Sequence, residues 1–145
     1  MPGTIRRWSP PGLAAPVGRY SHLAVVPAGA RTLYVSGQIG VLPDGSMAGA
    51  DAEAQTRQAL ANLETLLRAE GAEPQHLVKL FAMVAGSEHL PGYRASLGEA
   101  FSRWFPEGDW PAQSLAVVAG LAAPEILVEV EAVAVVSGDD ISSST

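Results

Sequence analysis

The stretch from Ile126 to Val136 constrains the fold more than any other part of the chain. It is apolar and rich in valine, as a buried strand is, yet Glu129 and Glu131 interrupt it at a spacing of two. Strand alternation therefore puts Leu127, Glu129 and Glu131 on one face and Val128, Val130 and Ala132 on the other. A helical layer covers one face of such a sheet, and the other face meets either water or a second subunit. The same two glutamates keep this longest apolar run from serving as a membrane span.

The elements that would supply the covering layer are legible upstream. Asp51 opens a helical stretch with Glu53 in its first turn, where an acidic group favours the helix dipole. Leu60, Leu63, Leu66 and Leu67 recur at helical spacing, which assigns them to its core face, and Gly71 supplies the stop. A second helix begins near Leu90, with Tyr93, Leu97, Ala100, Phe101 and Trp104 as its apolar stripe, and Pro106 ends it. Between the helices, Leu77 to Val84 reads as a strand. Before them, Ser21 to Val26 and Arg31 to Ser36 are apolar runs joined by Pro27-Ala28-Gly29-Ala30, the pattern of a hairpin. Asp44-Gly45 reads as another hairpin turn. After them, Gln113 to Val118 and Ile126 to Val136 are strands joined through Gly120-Leu121-Ala122-Ala123-Pro124.

The expected order is ββαβαββ: an α+β two-layer sandwich of antiparallel strands with helices on one face. With 145 residues the chain is expected to form a single domain over 1–136, followed by a polar tail over 137–145 that is expected to be disordered. There are no cysteines, which excludes disulfides and thiol chemistry. A net charge of −6 with only 9 Lys and Arg argues against a nucleic-acid surface, which needs clustered cations. Arg6-Arg7, the one adjacent basic pair, reads as solvated. No apolar run follows that pair, so no secretory signal is expected and the protein is expected to be cytoplasmic, with no membrane contact. His22, His76 and His89 lack the spacing of a metal site, no Gly-x-Ser-x-Gly elbow surrounds a serine, and no glycine run forms a phosphate loop. No metal and no cofactor are expected.

Four segments share an order and spacing with a known family: Gly18-Arg19-Tyr20-Ser21, Tyr34-Val35-Ser36-Gly37-Gln38-Ile39, Pro111-Ala112-Gln113-Ser114 and Val128-Glu129-Val130-Glu131-Ala132. Together they resemble the RidA (YjgF/YER057c) superfamily of small trimeric proteins, whose best-known members hydrolyse reactive enamines and imines, over roughly Trp8 to Val136. The resemblance implies a chorismate-mutase-like fold whose three sheets pack into a trimeric barrel, with a small-molecule site at each subunit boundary. It assigns substrate binding to Tyr20, Ser36, Gln113 and, within one position, Arg94, and catalysis to Glu129. A carboxylate suits the last role because, when ionised, it accepts hydrogen bonds and can align a water for attack.

The departure from the family pattern carries as much information as the matches. Where the family has an arginine that grips the substrate carboxylate, this chain has Gln113, and Leu115 stands where active relatives often have cysteine. A charge-assisted contact contributes about 1.5–3 kcal/mol against about 0.5–1.5 kcal/mol for a neutral hydrogen bond. The expectation is thus a family-type site with deaminase activity absent or weak. If active, the protein is a hydrolase of an imine, enamine or related electrophile; otherwise it is a metabolite-binding or structural homotrimer. Arg19, Arg94 and Arg103 are the cations available to compensate, and Arg103, beside Trp104, reads as surface charge.

Overall fold

The computed structural model describes residues 4–138. In chain order these form strands β1 (Arg6–Trp8), β2 (Leu23–Val25) and β3 (Arg31–Ile39), helix α1 (Ala52–Ala69), strand β4 (Leu77–Val84), helix α2 (Leu90–Trp104), and strands β5 (Ala112–Val117) and β6 (Val128–Val136). The main sheet has the order β3-β6-β4-β5, and β1 pairs with β2 in a separate ribbon. The expected tail lies, from residue 139 onward, outside the described residues.

Helix α1 is capped as its sequence dictates. The Asp51 carboxylate accepts from the Ala54 N–H at 2.8 Å, and beyond the last turn Gly71 takes a positive φ of 73°. Leu60, Leu63 and Leu67 are buried. Leu66 is not: it lies on the exposed flank of the same helix, because a stripe of four leucines is wider than the surface the sheet offers. In α2 all of Tyr93, Leu97, Ala100, Phe101 and Trp104 are buried. They meet Val128, Val130, Ala132, Ala134 and Val136 from β6 in one core. On the uncovered side, Glu129 and Glu131 lie opposite Met83 and Phe81 of β4, and Tyr34 of β3 is 83% exposed. The alternation in β6 thus separates a helix-covered face from an open one.

Two expectations about pairing require correction. Leu23–Val25 does not form a hairpin with β3. The turn is present, with Ala30 N–H donating to Pro27 C=O, but β2 pairs with β1 while β3 pairs with β6 about a hundred residues later. Local turn chemistry bends the chain without choosing the partner strand. Nor is the sheet wholly antiparallel, for β4 and β5 run parallel, as the crossover through α2 requires. The Asp44-Gly45 turn does form: Gly45 N–H donates to Leu42 C=O and Leu42 N–H to Ser46 C=O.

Arg7 also departs from its expected solvated state. Its side chain is 4% exposed and pairs with Asp109 at 3.0 Å, donates to the Leu77 carbonyl at 2.7 Å and to the Gln75 carbonyl, and lies 5.2 Å from the Phe105 ring. Burial pushes the guanidinium below its usual pKa, while the charge and hydrogen bond of Asp109 pull it back. Arg6, by contrast, stays at the surface over Trp8. Removing the fork leaves two carbonyls without a donor, so Arg7→Ala is expected to cost about 2 kcal/mol, and Arg7→Lys to recover less than half of it because a point charge cannot serve three directions at once. Urea denaturation midpoints check this; equal stability of Arg7→Ala and wild type would contradict it.

Candidate functional site: a groove at one sheet edge and a carboxylate on the open face

Residues 18–21 are fastened to the start of β5. Ser21 donates from its hydroxyl to the Trp110 carbonyl at 2.7 Å and from its N–H to the Pro111 carbonyl at 3.2 Å. This brings Tyr20 beside the β5 edge, where its hydroxyl accepts from the Val17 N–H at 3.4 Å and its ring meets His22 edge-on. The resulting open groove, about 1090 Å³ in volume, runs between this segment, α2 and β5. Tyr20, Arg94 and Gln113, three of the five residues singled out from the sequence, line it together with Arg19, Trp110 and Leu115. No Asp or Glu does.

The floor of the groove is set by a pair that the sequence did not disclose. Gln113 is level with Leu80 in the β4–β5 register and so points to the helix side. There its amide Nε2 donates to the Tyr93 hydroxyl at 2.7 Å. Tyr93 is 1% exposed, and burial pushes its hydroxyl well above the ordinary value for tyrosine, opposed by the hydrogen bond from Gln113 and the charge of Arg94. The phenol is therefore neutral at physiological pH. With one amide N–H held by Tyr93, the side chain of Gln113 has its carbonyl oxygen and its second N–H left for a ligand. Helical periodicity assigned Tyr93 to the core; the signal that it also has a polar duty is its hydroxyl, since a buried tyrosine needs a partner.

Glu129 and Ser36 lie elsewhere. Glu129 projects from the open face, level with Met83 of β4 and Ile39 of β3. Its carboxylate sits over Gly37, in a β-bulge between Val35 and Gln38. A Cβ built on Gly37 would fall 1.9 Å from Glu129 Oε2, so only glycine admits the carboxylate in this place. Ser36, adjacent in the bulge, is exposed and accepts at its carbonyl from Gln38 Nε2 at 3.0 Å. It opens on a separate cavity of about 450 Å³ lined also by Tyr34, Leu66 and Glu70. One chain thus brings Tyr20, Arg94 and Gln113 together beside β5 on the helix side, while Ser36 on β3 and Glu129 on β6 lie about Gly37, with Glu129 on the opposite, open face of the sheet.

Gly37→Ala is expected to displace the Glu129 carboxylate while changing the melting temperature by less than about 3 °C, because the obstructing atoms are the far end of a flexible side chain. A crystal structure of the variant and a thermal melt check the two halves. An unmoved carboxylate with a shifted β3 backbone would contradict the first.

Arg103 pairs with Glu99 at 3.8 Å on the helix surface, as expected, and takes no part in the groove. Among the described residues no group of three or more His, Cys, Asp or Glu is placed to hold a metal ion, and no helix is long and apolar enough to cross a membrane.

A two-layer α+β unit with a groove beside an edge strand and an uncovered sheet face defines a class of fold, and comparison with known proteins narrows it. A family model described as endoribonuclease L-PSP matches residues 12–136. The 2-iminobutanoate/2-iminopropanoate deaminase of Rattus norvegicus is 33% identical over 122 residues, 83% of this chain and 82% of that protein. The protein of that name from Homo sapiens is 30% identical over 120 residues, covering 82% and 81% of the two chains. Among solved structures, a Rid-family protein of unknown function from Yersinia pestis superposes with a TM-score of 0.79 at 33% identity, over 92% of this chain and all of that one. A putative endoribonuclease from Thermotoga maritima gives 0.63 at 31% identity, over 84% and 90% of the two chains. The chain belongs to this family, the RidA superfamily.

Proposed function

We propose that the protein forms a homotrimer whose ligand site is assembled between subunits from the β5-edge groove of one copy and the Ser36–Glu129 region of the next, and that it binds small molecules there with imine hydrolysis absent or weak. The observation that carries this reading is the bond from Gln113 to Tyr93: the position from which the family arginine would hold a substrate carboxylate is occupied by a neutral amide already engaged with a buried phenol. The separation of the two residue groups within one chain, with Gln113 on the helix side of β5 and Glu129 on the open face of β6, supports assembly across a boundary. Tyr34 and the glutamate-bearing face of β6, left uncovered by the helices, are the surface that a second copy would cover.

In such a site Glu129 would align a water, and without a cation at position 113 the ligand carboxylate would lack its charged contact beside the reacting carbon. Light scattering at micromolar concentration is expected to give three times the chain mass. Wild-type protein supplied with 2-iminopropionate generated by an amino-acid oxidase is expected to stay near the uncatalysed rate. A concentration-independent monomer would refute the assembled site, and vigorous turnover would refute the weak activity.

A further inference from the structure

Every Lys and Arg among the described residues except two has a visible occupation. Of the 9 Lys and Arg, Arg7 pairs with Asp109, Arg31 with Glu70, Arg57 with Glu53 and Glu99, Arg68 with Glu64 and Glu73, and Arg103 with Glu99. Arg6 lies over Trp8, and Lys79 donates to Ser114 at 2.9 Å. Arg19 and Arg94 remain, and both line the β5-edge groove. Neither side chain meets a carboxylate or makes a hydrogen bond among the described residues.

Their placement is mutual. The Arg19 guanidinium lies against α2 at Gly98, where an added Cβ would fall 2.9 Å from its Nη1. Gly98 is one helical turn on from Arg94, on the same face of α2. Both cations thus stand on the α2 side of the groove, in a protein of net charge −6, with no acidic residue lining it. An anion in the groove would meet both positive charges and no negative one. The remaining wall is apolar and aromatic, from Trp110, Leu97, Leu115 and Tyr20, and the floor is the neutral Gln113–Tyr93 pair.

We infer that Arg19 and Arg94 form an anion clamp at the rim of the groove, and that the ligand is an organic acid with an apolar or aromatic body: its carboxylate lies at the rim and its body against Trp110 and Leu115. This deepens the functional reading above and rests on it for the location of the site. The charge-bearing contact is moved from position 113 to the helix side, so the groove selects acids longer than a three-carbon imino acid, whose carboxylate would not reach the rim while its body filled the floor. A groove of about 1090 Å³ accommodates such a molecule.

Isothermal titration calorimetry with phenylacetate, and with benzylamine and acetate as controls, tests the clamp on the intact protein. Phenylacetate is expected to bind saturably, one per chain; benzylamine, of the same shape and opposite charge, and acetate, with no apolar body, are expected not to bind detectably. Arg19→Gln and Arg94→Gln are each expected to weaken phenylacetate about fivefold, a modest factor because both groups are solvent-exposed, and the double variant about twenty-fivefold. Gly98→Ala adds a good helix former while pushing the Arg19 guanidinium aside, so it is expected to weaken binding like Arg19→Gln without lowering the melting temperature. Benzylamine binding as tightly as phenylacetate, no binding of phenylacetate, or unchanged affinity in the double variant overturns the clamp. Because calorimetry reads binding alone, a wild type that turns over 2-iminopropionate yet keeps charge-selective binding of phenylacetate would refute the weak activity proposed above and leave the clamp standing.

Discussion

Replacing Gln113 by arginine is expected to raise hydrolysis of 2-iminopropionate about five- to thirtyfold above a wild type near background. The variant exchanges a neutral contact for a charge-assisted one, recovering on the order of 1–2 kcal/mol of transition-state binding. The site can accept the change locally. The Tyr93 hydroxyl that takes a hydrogen bond from the Gln113 amide at 2.7 Å can take one from a guanidinium N–H instead, and the groove is open on the β5 side. The cost is a third positive charge beside Arg19 and Arg94, which moderates the gain and makes it salt-dependent. Adding Glu129→Gln is expected to remove most of the increase if that carboxylate aligns the water. Initial rates with enzymatically generated substrate check each variant. Robust wild-type turnover would show that another arginine, Arg94 first, already holds the carboxylate. A folded, trimeric but inert Gln113→Arg would show that the site has diverged beyond one position.

The largest expected loss of stability lies at a residue without a role in binding. Gln55 is 1% exposed, and its side chain makes three hydrogen bonds to loop backbone: Nε2 donates to the carbonyls of Gly49 at 3.0 Å and Glu125 at 2.9 Å, while Oε1 accepts from Leu127 N–H at 2.9 Å. It ties the loop before α1 to the loop that enters β6. Gln55→Met keeps the volume and removes all three bonds, leaving a buried N–H and two carbonyls to find other partners. A cost of about 3 kcal/mol is expected, lowering the melting temperature by roughly 10 °C. Leu127 lies two residues before Glu129, so the lost anchor should also loosen the carboxylate. Denaturant and thermal midpoints measure the first effect. A midpoint within error of wild type would mean that water replaces the amide at no cost.

Most of the fold was legible in the sequence because helices and strands announce themselves through local periodicity. Asp51, Gly71 and the α2 stripe are all within reach of a window of a dozen residues, and the extent of β4 follows from its apolar run. What was not legible depends on partners distant in sequence. The pairing of β2 with β1 rather than β3, the parallel β5, and the burial of Arg7 against Asp109 all turn on contacts that no window contains. The candidate site divides in the same way. The segments around Tyr20, Ser36, Gln113 and Glu129 were found by resemblance, but the bond from Gln113 to Tyr93 follows from the β4–β5 register and the phase of α2 together. The approach of Glu129 to Gly37 likewise follows from a bulge that alternation does not foretell.

The position of β6 between β3 and β4 has a bearing on how the chain is made. During synthesis, β3, α1, β4, α2 and β5 leave the ribosome before β6, yet β3 and β4 have no hydrogen-bonded contact with each other until β6 is inserted between them. A nascent chain that has reached Val117 holds the β1–β2 ribbon and, of the main sheet, one closed ladder, the parallel β4–β5 pair, and leaves β3 and the other edge of β4 unpaired. Cooperative closure must wait for residues 128–136, and at a few residues per second the intermediate with open edges persists for seconds. The edges exposed in that interval are those most prone to pair with another nascent chain, so the yield of correctly assembled protein should depend more on the pace of translation through the last strand than on the stability of the finished fold.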